Sequence, residues 1–194
     1  MNQGYEVVEY ILGNPVEPAD EPLLKNKFAG FARATSVAEG IAIIQKNVPL
    51  LSGLTMLQLR EFMLDSTLHA PKPGEVIFER NDYTNSLYCI VEGEATVIST
   101  HSDGGEARFK LGTGAFFGEM GLISGRRRTA TVVAGPGCIL VETPRRSMLK
   151  LVSSVESVQR TLDQESLKRA VHTFLGISLS DTELRFLAQG AQIR

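Results

Sequence analysis

The run FFGEMGLISGRRRTATV, Phe116 to Val132, decides how this chain reads. It sets a lone glutamate, Glu119, among glycines, then follows a polar turn with Arg126, Arg127 and Arg128. Glycines at Gly118 and Gly121 let a backbone come close to a polar ligand, and the arginines point to an anionic one. A phosphodiester needs a cationic fork together with backbone N–H groups. A short helix opening at Gly-Glu-Met-Gly-Leu supplies such donors at its positive end, and Arg128 is the natural bidentate partner of the phosphate oxygens. The same phosphate would repel Glu119. Its carboxylate is therefore expected to point away and accept from a ribose hydroxyl, so that one cation and one anion read two parts of one nucleotide.

Working outward from this run, strand-like patterning dominates from His69 to Thr143. In ARFKL, Ala107, Phe109 and Leu111 share one face while Arg108 and Lys110 take the other. Turn signals fall at Pro73-Gly74, Glu92-Gly93, Asp103-Gly104-Gly105 and Gly135-Pro136-Gly137. Short strands at that spacing indicate a closed or sandwiched antiparallel structure. On the N-terminal side, GYEVVEYILGN has helix-compatible apolar positions, NPVEPADEP reads as a linker, and LLKNKFAGFARA resumes helical spacing with Leu24, Phe28 and Phe31. Ser36 and Glu39 form a capping-box pattern ahead of Val37, Ile41 and Ile44. After Thr143, Pro144 stands where a first helical residue would, and Met148, Leu151, Val152, Val155, Val158 and Leu162 return to helical spacing.

Composition limits the function. The 194 residues are 43% hydrophobic with a net charge of -2, so a core can be buried while the broad basic face of a nucleic-acid binder is missing. No apolar run reaches the ~18 to 20 residues of a membrane span, and no signal-peptide pattern opens the chain. A soluble, cytoplasmic protein is expected, with no nucleic-acid or membrane partner in this chain. Cys89 and Cys138 lie in apolar runs, where buried, reduced thiols are expected. His69, His101 and His172 have no metal spacing, and no metal is expected. No catalytic constellation appears either, so the chain is read as a non-enzyme.

LTMLQLREFM from Leu54 and LSDTELRFLA from Leu179 share a hydroxyl cap, an amide or carboxylate three residues later, and Leu-Arg. Any two amphipathic helix starts share some of this. The sharper expectation is that a second, similar domain begins near Phe174 and that the chain is part of a longer protein.

Three stretches, VPLLSGLTMLQLREF (48–62), PGEVIFERNDYTNSLYCIVEGEATV (73–97) and FGEMGLISGRRRTATVVA (117–134), together resemble the cyclic-nucleotide-binding domain of the catabolite-activator and protein-kinase-regulatory-subunit superfamily. The resemblance implies a mainly β fold: an antiparallel, jelly-roll-like β-roll with N-terminal helices, a short phosphate-binding helix and C-terminal helices. It covers roughly residues 36–172, so that with the linker and the repeat the chain divides into a helical and linker segment over 1–35, the binding domain over 36–172, and the truncated start of a second copy over 173–194. The implied ligand is cAMP or cGMP. Gly118 and Glu119 would take the ribose, the backbone of Gly121 and Thr129 the phosphate together with the Arg128 fork, and Met120, Leu122 and Ala130 complete the cassette. In similar domains a threonine at the place of Thr129 can reach the amine of a guanine held syn.

Other readings stand beside this one. Gly118 and Gly121 could serve only a tight turn, with Glu119 and Arg128 a buried ion pair in a ligand-free roll. Arg126 and Arg127 read as solvated turn residues, and Tyr88 and Phe109 as core rather than base-stacking platforms. The leading function is a sensory, regulatory module in which helices after Pro144 swing over the site and pass the change to other domains of the same chain, with homodimerisation through helices as a further expectation. The alternatives are a non-binding scaffold or dimerisation module and, lower, a DNA-binding transcription regulator. NQGYEVVEYILGNPVEP (2–18) faintly resembles the last helix of pyridine-nucleotide-dependent flavoproteins, which would make an upstream oxidoreductase the regulated partner.

Overall fold

A computed structural model describes residues 21–28, 36–83, 85–100, 105–124, 127–175, 180, 182 and 183. The expected helix near residues 5–12, most of the NPVEPADEP linker, Phe31, Arg126, His101 and most of the expected second copy lie outside these residues.

The strand-like region folds as eight strands: β1 (Thr67–His69), β2 (Val76–Phe78), β3 (Ser86–Glu92), β4 (Glu94–Thr100), β5 (Glu106–Gly112), β6 (Phe116–Phe117), β7 (Thr131–Ala134) and β8 (Ile139–Pro144). They form two four-stranded antiparallel sheets, ordered β1-β8-β3-β6 and β2-β7-β4-β5. The central strand β3 explains the architecture best. Its run Leu87 to Val91 is apolar at every position, which a sheet with one solvated face would not tolerate. Tyr88 and Ile90 enter the core between the sheets with Phe78, Ala95, Phe117, Val132 and Leu140. Leu87, Cys89 and Val91 face the other way, into a core shared with the helices. The adjacent pair Phe116 and Phe117 divides in the same manner, one ring to each core. By contrast β5 alternates exposed and half-buried residues, with Ala107, Phe109 and Leu111 on the more covered face as the spacing predicts. The β3–β4 connection is a single residue, Gly93, at φ +75°, where a Cβ would lie 2.3 Å from the Gly137 carbonyl oxygen.

The helices cover the sheet that holds β3. Before the roll come α1 (Glu21–Phe28), α2 (Val37–Asn47), a 3₁₀ turn (Pro49–Leu51) and α3 (Met56–Asp65). Between the sheets' strands lies α4 (Glu119–Ser124), and after them come α5 (Arg145–Ser154) and α6 (Glu156–Leu175). Helix α1 starts inside the stretch expected to be a linker. Pro22 stands in its first turn, where a missing N–H costs no helical bond. Leu24 and Phe28 are buried with Ile41, Ile44, Leu59 and Met63 in the helical core, and Lys27 Nζ donates to the carbonyls of Met63, Leu64 and Ser66 at the end of α3. A cation there complements the carbonyl end of the helix.

Capping follows the sequence. Ser36 accepts from the Glu39 N–H, and Thr55 with Gln58 makes the full reciprocal box at the start of α3. Ser180 and Glu183 make the same two bonds, Ser180 N–H to the Glu183 carboxylate and Glu183 N–H to Ser180 Oγ. Two boundaries differ from expectation. Pro144 ends β8 and caps α5 rather than opening it, and the apolar stripe from Met148 to Leu162 is two helices, broken where Val155 adopts an extended conformation at φ -129°. Met148, Leu151, Val158 and Leu162 nevertheless all reach the same core. Cys89 and Cys138 are free and buried, and burial pushes the Cys89 thiol up to about 12, so it stays protonated and inert.

Candidate functional site

Residues Phe116 to Val132 run from β6 through α4 into β7 and form much of the wall of a cavity of about 440 Å³. That volume lies within the range of small-molecule sites. Of the residues expected from the sequence, Gly118, Glu119, Met120, Gly121, Arg128, Thr129 and Ala130 all line it. Leu122 follows on α4. Thr129 is exposed, whereas Glu119 and Arg128 are only 2% and 3% accessible.

Arg128 is held from both ends of its fork. Nη1 donates to the Gly118 carbonyl at 2.9 Å and Nη2 to the Ser86 carbonyl at 2.7 Å. Its Cζ lies 4.2 Å from the centre of the Phe78 ring, a cation–π contact. Backbone bonds fix the residue as well, with Arg128 N–H donating to Asp82 O and Asn81 N–H donating to Arg128 O. Burial lowers the guanidinium's pKa, and Tyr88, Glu119, Glu142 and Asp82 act in the opposite sense. A guanidinium remains charged through such a shift. Gly118 makes the arrangement sterically possible: its φ is +91°, and a Cβ would fall 2.5 Å from Arg128 Nη1.

Glu119 is engaged by α6. Arg169 Nη1 meets its Oε2 at 2.7 Å, Nη2 donates to the Phe116 carbonyl at 2.6 Å, and the guanidinium carbon lies 5.1 Å from the Phe116 ring centre. Glu165 and Lys168 of α6 also line the cavity, so this helix closes one side of it. Arg160 is instead occupied by Glu156 on the helix surface. A carboxylate offers two oxygens and about four lone-pair directions, so Glu119 retains acceptor capacity beside its bond to Arg169.

The remaining walls come from residues for which no site role is expected from the sequence. Val97, Phe109 and Leu111 present an apolar surface from β4 and β5. Phe109 therefore faces the cavity and is half-buried. Tyr88 is in the core as expected. Arg127 is exposed, stacks 3.7 Å from the Tyr83 ring centre and bonds Asn81 O, which fits a solvated turn residue.

Residues 69–155 match the family model of the cyclic nucleotide-binding domain. The roll belongs to that family. The matched residues run from the end of β1 through α5, and the fold is the β-roll expected from the sequence. Among known proteins, a cyclic nucleotide-gated potassium channel of Rhizobium etli is 32% identical over 122 residues, 63% of this chain and 33% of the channel. The cAMP-dependent protein kinase regulatory subunit of Blastocladiella emersonii is 28% identical over 123 residues, 62% of this chain and 30% of the subunit. Among solved structures, the catabolite activator protein of Thermus thermophilus superposes with a TM-score of 0.56 at 27% identity, covering 72% of this chain and 63% of that one. The chain spans a third or less of the length of these two curated relatives. No described helix is long and apolar enough to cross a membrane.

Proposed function

We propose that the cavity binds cAMP or cGMP, with the phosphate on Arg128 and the backbone N–H groups of Gly121 and Thr129, and the ribose on Gly118 and Glu119. One observation carries this reading: a buried guanidinium and a buried carboxylate open on the same cavity, whose other wall is apolar. A cyclic nucleotide has an anion, a hydroxylated ring and a flat base whose ring faces pack on apolar surface, and the cavity offers a match to each. The named relatives, a nucleotide-gated channel and a cAMP-dependent regulatory subunit, support the same chemistry.

The module is regulatory, and its output lies in other domains of a longer chain. Helix α6 is the relay. Arg169 ties it to the carboxylate that would read the ribose, so occupancy of the site and the docking of α6 share one residue. A ligand shifts such an equilibrium only by its difference in affinity for the two positions. The experiment is a titration with cAMP and cGMP followed by amide hydrogen exchange. Saturating nucleotide is expected to raise protection across residues 156–172. Identical protection with binding confirmed separately would remove the relay.

Thr129 is exposed on the cavity wall and is the candidate for reading the base. A Thr129→Ala protein is expected to lose affinity for cGMP about tenfold, the value of one hydrogen bond of about 1.4 kcal/mol, and to keep that for cAMP. Parallel loss of both would confine Thr129 to the phosphate.

A further inference from the structure

A second group of titratable side chains lies beside Arg128 and has no part in the reading above. Glu142 on β8 stands directly across from Tyr88 on β3 in the strand register. Two donors converge on its carboxylate: the Tyr88 hydroxyl at 3.0 Å from Oε1 and His69 Nε2 at 2.7 Å from Oε2.

Two residues of β3 touch the Arg128 fork. The Ser86 carbonyl accepts from Arg128 Nη2, and the Tyr88 ring centre lies 5.8 Å from Arg128 Cζ while stacking at 5.2 Å on Phe117. Burial alone would raise the Glu142 carboxyl, but the neighbouring Ser86, Tyr88 and His69 outweigh it and hold it below the usual carboxylate range. Tyr88 is pushed the other way, by burial first and then by Glu142. Near neutral pH the pair is thus carboxylate and phenol, and the hydrogen bond runs from Tyr88 to Glu142.

We propose that Glu142 is a positioning residue for the anion site: by holding Tyr88, whose ring borders the guanidinium, it keeps Arg128 in the orientation that meets a phosphate. The inference rests on the reading of Arg128 as the phosphate's partner. An arginine side chain has many rotamers, and a fork already ordered before the ligand arrives loses less freedom on binding. Glu142 does not line the cavity and so acts through its neighbours.

The test is a double-mutant cycle by calorimetric titration with cAMP, alongside NMR of the Arg128 guanidinium N–H signals in unliganded protein. Glu142→Ala is expected to weaken binding about tenfold in the wild-type background, 1.4 kcal/mol, and less than about twofold in an Arg128→Lys background, where there is no fork to orient. Glu142→Gln, which keeps an acceptor for Tyr88, is expected to restore most of the affinity. In Glu142→Ala the Arg128 N–H signals are expected to exchange faster with water. Equal losses in both backgrounds, or wild-type binding in Glu142→Ala, would overturn the proposal. If Glu142→Ala does not fold, Tyr88→Phe removes only the donating hydroxyl, and unchanged affinity and exchange there would overturn it equally. A wild type that binds no cyclic nucleotide would end the reading of Arg128, and the exchange measurement would still decide whether Glu142 orients the guanidinium.

Discussion

An Arg128→Ala protein is expected to lose cyclic-nucleotide affinity by about tenfold to hundredfold for each phosphate bond removed. A hydrogen bond to a charged partner contributes about 1.5 to 3 kcal/mol, and each 1.4 kcal/mol is tenfold. The same substitution leaves the carbonyls of Gly118 and Ser86 without their guanidinium donors, so a stability loss accompanies the binding loss. Arg128→Lys separates the two effects. It keeps the charge but cannot make two parallel bonds from one planar group, and its affinity should fall between wild type and the alanine protein. Calorimetry reads both, with thermal unfolding as the check on fold. An Arg128→Ala protein that binds cAMP and cGMP as wild type does would remove Arg128 from the site.

The second large effect is expected at Gly118, where the smallest substitution has two costs. At φ +91° an alanine is strained, and its Cβ would stand 2.5 Å from Arg128 Nη1 and 2.9 Å from the Ser86 carbonyl oxygen. Backbone strain of this kind costs about 1 to 3 kcal/mol, which for a chain of this size lowers Tm by about 2 to 4 °C per kcal/mol. Relief of the clash means moving the guanidinium, because the carbonyl belongs to β3 at the centre of a sheet. Gly118→Ala is therefore expected to lose both stability and affinity although it removes no contact to the ligand. Normal affinity with a lowered Tm would show that the fork need not sit where Gly118 admits it.

Much of the site was legible because it is local. Gly118 to Gly121 and Arg128 to Ala130 lie within one short run, and a polar turn joins them, so spacing alone brings them together. The two-sided burial of β3 was legible for a similar reason, as an unbroken apolar run bounded by turns. What spacing could not carry was contact between distant segments. Arg169 reaches Glu119 across fifty positions from a helix with almost no amphipathic pattern to say which face turns inward. Phe78 lies under Arg128 from a three-residue strand too short for a period to be read. The break at Val155 was hidden because Val152, Val155 and Val158 keep helical spacing across it. Phe109 misled in the opposite way: alternation identified its face correctly, and that face borders the cavity.

The central claim is that one cavity reads phosphate and ribose together, and calorimetric titration of the wild-type chain tests it most directly. The ligands are cAMP, cGMP, the 2′-deoxy form of each, and 5′-AMP as the open-ring control. The account predicts saturable binding of a cyclic ribonucleotide at one site per chain, weaker binding of its 2′-deoxy form because Glu119 loses its hydroxyl donor, and still weaker binding of 5′-AMP. Equal affinity for the ribo and deoxy ligands, or no saturable binding of either cyclic nucleotide, would contradict it.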